Sequence, residues 1–378
     1  MNNTDNNLKP GWLFWAILLA GLAARLLAAT CGHNYDMDSW QLVAGIAERG
    51  ENVYAATDRY NFAPGWYHIL HGLNVLSGHN PAIFRYVVAG FLSLADAGIF
   101  FFLWRRFGRL AGCWFWLNPI SVIVSGYQCN FDNVAILLGL LAVASMGDDF
   151  DRPLDRRKLL GLSILGLSLV VKHVFFAFPF WLAVKQRGWL QKLVVILIPL
   201  LIFALSFVPY WSTGSEGIIQ NVFRYRSFTN EFFYRMFLPQ FVQFMFGGLA
   251  VWLALLGLFA FICRKQSTVE FLLVYTAVLV AASPANINEY LAIPGAFVAT
   301  HLNLFTILFT AVGTLHLLVD PNGLHLGGLG RTLYIDLAIY LLCLGAVWAI
   351  WRQPIVAGLK RLLAWGVGEI RNQLGRKP

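Results

Sequence analysis

Residues 159–184 form an apolar run with basic residues at both ends: Arg156, Arg157 and Lys158 precede it, and Lys185 and Arg187 follow it. Clusters of Lys and Arg beside apolar runs stay on the cytoplasmic side of a membrane, so both ends of this run belong to one face. At ~1.5 Å per residue, its 26 residues are too few for two crossings of a ~30 Å hydrocarbon core. The run therefore predicts a re-entrant pair of short helices that meet at Lys172-His173, within or just below the outer interface. Non-helical backbone at that depth persists only where it lines protein or a water-filled cavity. A cavity beneath the outer face is thus expected.

The other apolar runs demand a membrane as well. Of 378 residues, 58% are hydrophobic and 12% charged, which lies outside the range of soluble globular chains. Spans are expected at 11–30, 82–104, 108–125, 131–147, 191–211, 237–262, 268–283 and 332–351, while 289–318 holds one long or two short passes. The chain reads as an all-α polytopic integral membrane protein, a single transmembrane domain over 1–378 with no soluble domain. "WLFWAILLAGLAARLLAAT" lacks a small-x-small cleavage pattern and reads as a retained first helix. The five cysteines show no metal spacing, and only Cys31 and Cys129 fall near one face where a disulfide could form.

A net charge of +9 could suggest nucleic acid, but the basic residues sit in short links between apolar runs. Lys9, Arg105, Arg106, Arg109, the links at 151–158 and 185–192, Arg264-Lys265 and the tail from Arg352 mark a cytoplasmic face. Acids concentrate on the other side, among them Asp36, Asp38, Asp132 and Glu289. The reading is a multi-pass protein of the plasma (inner) membrane, with no nucleic-acid partner and with its polar site facing the periplasm or exterior. Residues 352–378 read as an amphipathic helix on the inner surface. Residues 31–81 form an outer loop carrying interfacial helices anchored by Trp40, Trp66 and Tyr67, and 212–236 form a second outer loop with Arg224, Arg226 and Arg235.

Five constellations carry polar chemistry. In "YDMDSW", Asp38 or Ser39 suits a helix N-cap; alternatively Asp36 and Asp38 supply a general base, or hold a divalent cation against a phosphate. In "SGYQCNFDNVAILLG", Tyr127, Gln128, Asn130, Asp132 and Asn133 open a span, with Asp132 either a cap or a sugar-binding group. Lys172 within "VVKHVFFAFPF" costs ~2.5 to 3.5 kcal/mol to insert, which makes it a functional candidate; it reads as an anion ligand, and His173 as a ligand or a packing residue. "PANINEYLAIPG" places Glu289 and Tyr290 in an outer loop, as site groups or as an interfacial anchor. In "RYNFAPGW", Arg59 and Tyr60 either line the cavity mouth or belong to a plain turn. All five fall on the outer face, which suits a reaction between a lipid-phosphate donor and a second substrate.

In order and spacing these motifs resemble the GT-C superfamily of membrane glycosyltransferases that use polyprenyl-phosphate sugars. The likeness is nearest to the dolichyl-phosphate-glucose glucosyltransferases of the asparagine-linked glycan pathway and their prokaryotic relatives. "YDMDSW" resembles the family's acidic motif, which implies Asp36 as catalytic base and Asp38 as second acid. "RYNFAPGWYHI" is similar to its Tyr-x-Pro-Pro segment with Ala63 in place of a proline, and "VKHVFFAFPF" to its Lys-Gln segment with His173 in place of Gln. "INEYLAIP" resembles the late outer-loop motif, where Asn288 stands in place of a frequent histidine. The resemblance implies a bundle of about 10–12 transmembrane helices. It also implies an inverting hexosyltransferase with a polyprenyl-phosphate monosaccharide as donor, a glycan or glycolipid as acceptor, and membrane lipid around it. The donor phosphate would lie near Lys172 and Arg224, Arg226 or Arg235; no cofactor is required, and a divalent cation is the one addition weighed. The alternatives are a transporter or flippase of lipid-linked sugar, and an oligosaccharide polymerase or ligase using a lipid-diphosphate donor.

Overall fold

A computed structural model describes residues 11–147, 154–225, 240–283, 288–319 and 331–375, and every regular element among them is helical. The helices are α1 (Trp12–Thr30), α2 (Tyr35–Glu48), α3 (Val53–Ala56), α4 (Pro64–Leu76), α5 (Pro81–Phe107), α6 (Arg109–Trp116), α7 (Pro119–Gly126), α8 (Asp132–Met146), α9 (Arg156–Val171), α10 (Phe178–Val184), α11 (Trp189–Ser206) and α12 (Trp211–Gly217). They continue with α13 (Gln240–Ile262), α14 (Thr268–Ala282), α15 (Gly295–Thr300), α16 (Leu304–Val319) and α17 (Arg331–Gly375). Four stretches are long and apolar enough to cross a membrane: Trp12–Thr30, Pro81–Phe107, Trp189–Phe223 and Leu333–Ala357. Shorter apolar helices lie at 132–146, 250–262, 268–282 and 304–319. The protein is a helical membrane protein.

Local chemistry explains where these helices start. Asn80 accepts backbone N–H bonds from Ala82 and Ile83 with Pro81 in the first turn, and Asp155 accepts from the Lys158 N–H. Ser267 and Glu270 form a reciprocal capping box on α14.

The bent pair is present. α9 and the segment His173–Val184 meet at 119°, and Lys158 Nζ donates to Gln186 Oε1 at 2.7 Å across the base of the hairpin. Both legs therefore return to one level, and Lys172 sits at the tip in an extended conformation (φ −150°, ψ 134°). Before the tip, helix α4 comes close enough that a Cβ on Gly65 would lie 2.6 Å from the Val170 carbonyl oxygen.

Three sequence expectations need revision. Residues 108–125 make two helices, because Asn118 caps a new one at Pro119. Residues 288–319 divide into a 3-10 turn (Asn288–Ala292), the short α15 and α16. The tail 352–378 does not begin a separate surface helix: α17 runs unbroken for 45 residues through Pro354, so at ~1.5 Å per residue its span continues directly into the basic segment.

Residues 31–81 fold as α2, α3 and α4, none long enough to cross, with α2 packed on α4. They are pinned to the segment after α11: Asn52 Nδ2 donates to the Tyr210 carbonyl at 2.9 Å and to Thr213 Oγ1 at 2.7 Å. Asn221 Nδ2 reaches the Thr57 carbonyl at 3.4 Å.

Beneath these loops lies a polar knot that the sequence reading did not join. Arg25 of α1 and Asp96 of α5, both wholly buried, pair at 2.8 Å. Arg25 also donates to the Gly21 and Trp116 carbonyls and to Ser121 Oγ, and lies 4.1 Å from the Trp116 ring centre. Every guanidinium nitrogen is engaged, as burial of a charge requires.

Candidate functional site

The site forms where the hairpin tip meets the start of α8. The Lys172 ammonium lies 2.9 Å from Asp132 Oδ1 and donates to Asn130 Oδ1 at 2.8 Å. It also sits over the rings of Phe131 at 4.7 Å and Phe62 at 5.3 Å. Asn130 is a hub, since its Oδ1 also accepts the Asp132 backbone N–H at 3.3 Å. Asp132 is fully buried and has no hydrogen-bond partner beyond this ion pair. It does not cap α8, as one sequence alternative had it: it is the first helical residue, Phe131 holds the cap position, and the carboxylate turns to Lys172.

Asp36 enters from above. α2 begins at Tyr35 after extended Asn34, so Asp36 and Asp38 both lie in the first turn, where the positive helix end favours acids. Neither Asp38 nor Ser39 caps the helix. Positions i and i+2 of a helix point to different sides, and the two acids separate accordingly. Asp36 is half-buried, accepts a 3.5 Å bond from Asn34 Nδ2, and feels the charges of Lys172, Asp132 and Arg59. Asp38 is exposed and pairs with His33 Nε2 at 3.0 Å. The two are therefore not a joint cation clamp, and among the described residues no three His, Cys, Asp or Glu side chains are grouped to hold a metal.

Glu289 completes the cluster from the turn Asn288–Ala292, which packs against α7 and α8. Burial, followed by the negative charge of Asp36, pushes its carboxyl up to about 8, against the pull of Lys172. Burial likewise raises the Asp36 carboxyl, with Lys172 as the chief opposing influence. Three acids, Asp36, Asp132 and Glu289, thus share the field of Lys172, and Asp36 also feels Arg59.

The remaining predicted residues divide between the site and its frame. Arg59 is half-buried over the Tyr35 ring at 3.9 Å and donates to the Tyr35 carbonyl at 3.4 Å, while its Nε is buried without a partner. Tyr60 belongs to the frame: fully buried, it donates to the Ala63 carbonyl at 2.6 Å and accepts the Tyr67 N–H at 3.1 Å. Gln128 is fully buried and neither atom of its amide has a partner. His173 is exposed and stacks on Phe62 at 5.8 Å. Tyr290 is partly buried, its phenol raised first by burial and next by the charge of Glu289, with Tyr225 among the further neighbours. Arg224 is exposed just after the π-helical turn Ile218–Phe223; Arg226 and Arg235 lie outside the described residues. Cys31 is exposed, Cys129 buried, and both are free thiols.

The sequence reading did not assemble the aromatic floor beneath Lys172. Trp66 stacks on Phe131 at 4.1 Å with ring planes 6° apart, Phe62 meets Phe131 edge-on at 4.9 Å, and Trp40 meets Phe131 at 5.4 Å. The signal was present, because three of the five motifs carry these rings beside their polar residues: Trp40, Phe62 with Trp66, and Phe131. Trp40 also donates to the Cys129 carbonyl at 3.2 Å, tying α2 to the loop before α8.

No family model, curated protein or solved structure matches the chain. The site brings together a half-buried carboxylate on Asp36, a buried carboxylate on Asp132 paired with Lys172, and a second cation, Arg59.

Proposed function

We propose that the chain is an inverting glycosyltransferase of GT-C type, which moves a hexose from a polyprenyl-phosphate monosaccharide to a glycan or glycolipid acceptor at the outer face of the plasma membrane. The observation that carries this reading is the convergence on the hairpin tip: Asp36, Asp132, Glu289, Lys172 and Arg59 come from four separate parts of the chain to one place. Read with the charge pattern, this proposal puts the polar cluster on the outer face and the basic links on the cytoplasmic face.

In this mechanism Asp36 removes the proton from an acceptor hydroxyl. The acceptor oxygen bonds to the anomeric carbon as the bond from that carbon to the phosphate oxygen breaks, and the lipid phosphate leaves with the electron pair. The leaving group is already a stable anion, so alignment and charge neutralisation are what the protein must supply. A carboxyl raised by burial is a stronger base than one in water. Lys172 has two of its three donors on Asp132 and Asn130, and Arg59 has an Nε without a partner among the described residues, so these two cations would receive the phosphate, with Arg224 on the neighbouring segment. Arg25 and Lys158, the other buried cations among the described residues, are held by Asp96 and by Gln186, so neither is offered to a passing substrate, which weighs against a flippase.

The test uses the full chain in liposomes with a synthetic radiolabelled polyprenyl-phosphate hexose and a panel of glycolipid acceptors. Transfer is expected, and Asp36→Asn is expected to slow it by about 10²- to 10⁴-fold. Undiminished transfer by Asp36→Asn removes it as base, while transfer only from a lipid-diphosphate oligosaccharide, or movement of the lipid-linked sugar across the bilayer without transfer, overturns the reading.

A further inference from the structure

The buried knot around Asp96 has no substrate-facing atom in the mechanism above, yet it ends one residue from the site. Asp96 Oδ2 takes Arg25 Nε at 2.8 Å and Ser121 Oγ at 3.2 Å, and Asp96 Oδ1 takes Asn133 Nδ2 at 2.7 Å. Asn133 Nδ2 also reaches Ser125 Oγ at 3.4 Å. The knot thus joins α1, α5, α7 and α8, all of its members being buried.

We infer that Asp96 and Asn133 are positioning residues that hold Asp132 against Lys172. Successive residues of a helix project about 100° apart. With the Asn133 amide fixed to Asp96 on one side of the first turn of α8, the Asp132 carboxylate is fixed toward the hairpin tip on the next. A buried ion pair is a poor source of stability compared with apolar packing of equal volume, so the knot supplies direction. The Asn133 carbonyl supports this: it is buried without a partner, so the amide keeps its donor on Asp96 at the expense of its acceptor. The consequence reaches Asp36, because the Lys172 charge acts on that carboxyl from the place where Asp132 and Asn130 hold it.

Two substitutions separate positioning from plain stabilisation. Ser121→Ala and Asn133→Ala each remove one hydrogen bond to Asp96, but only Asn133 lies on α8. The first readout is reductive methylation of Lys172 by formaldehyde and cyanoborohydride in the purified full chain, followed by mass spectrometry of its peptide, which requires no activity. Methylation needs the amine released from Asp132 and Asn130 and reached by reagent, so its rate follows the fraction of time the pair is open, tenfold for about 1.4 kcal/mol of lost holding. Asn133→Ala is expected to raise the Lys172 rate by about tenfold, toward that of Asp132→Asn, with Ser121→Ala within about twofold of wild type. The inference is overturned if Asn133→Ala stays within about twofold, or if Ser121→Ala rises equally. Should Asn133→Ala not fold, Asn133→Gln, which displaces the amide by one methylene, is judged by the same limits. The second readout rests on the transferase reading: Asn133→Ala lowers kcat about tenfold with the donor KM unchanged. Absence of transfer in wild type would count against that reading alone, since methylation reports on the pair regardless.

Discussion

Replacing Lys172 with methionine is expected to cost far more than one lost contact. Among the described residues the ammonium is the one partner of the Asp132 carboxylate, which has no exposed surface. Deleting one member of a buried ion pair leaves the other uncompensated, at about 3–5 kcal/mol. Protonation sets a ceiling: bringing a carboxyl of ordinary affinity to its neutral form at pH 7 costs roughly 4 kcal/mol, at about 1.4 kcal/mol per pH unit. The destabilisation of Lys172→Met is therefore expected to be about 3–4 kcal/mol at pH 7 and to shrink as pH falls toward about 4. The sign follows from linkage. In the variant the folded chain binds the Asp132 proton more tightly than the unfolded chain does, so stability is lost as pH rises above the unfolded value. Lys172→Met combined with Asp132→Asn removes both charges and is expected within about 1 kcal/mol of wild type. Denaturant unfolding in detergent micelles at pH 5 and pH 7 measures all three chains. The reasoning fails if the single variant matches wild type at pH 7, or if the double variant is no more stable than the single.

Other outcomes follow from the same geometry. Burial raises the Asp36 carboxyl and Lys172 restrains it; a base acts only when deprotonated, so transfer should climb with pH along a limb centred above about 4, and Lys172→Met should move that limb higher. A limb at or below the ordinary carboxylate range would sink this assignment. Gly65→Ala drives a methyl against the Val170 carbonyl, where backbone cannot yield cheaply, and should destabilise by about 1–3 kcal/mol; unchanged unfolding would mean the two helices separate freely. Tyr60→Phe loses a hydroxyl that bridges the Ala63 carbonyl and the Tyr67 N–H, at about 1–3 kcal/mol, with donor KM unchanged. A raised KM at unchanged stability would instead put Tyr60 in contact with substrate.

What the sequence made legible was what depends on local composition and on charge between apolar runs. The spans at α1, α5 and α8 follow from hydropathy, and the hairpin at Lys172 follows from counting residues between two basic clusters. The acids of "YDMDSW" were legible as a pair but not as two opposed directions, because that depends on α2 starting at Tyr35, before both of them. The 45-residue α17 hid behind Pro354, which ordinarily suggests a helix boundary but here is accommodated within one. Arg25 and Asp96 stand 71 positions apart, and pairing at that separation leaves no periodic trace in one sequence. The same holds for the aromatic floor, whose four rings come from three segments. Lys172 was legible as an anion ligand; that a buried carboxylate, Asp132, stands beside it was not, because the two are 40 positions apart in sequence.

The bridge between Lys158 and Gln186 bears on how the chain is made. The Lys158–Gln186 bond returns both legs of the hairpin to one level, so neither leg ends on the far side of a bilayer, and an insertion machinery that releases spans one by one into lipid has no stable state in which to leave α9. The two legs enter as one body, closed at the base, and α9 packs along both α8 and α11. The helix made before it must therefore be in place to receive it, and the helix made after it must follow to hold it. Assembly of the tip is a late event in biogenesis, and the polar cluster forms only once most of the surrounding protein already surrounds it.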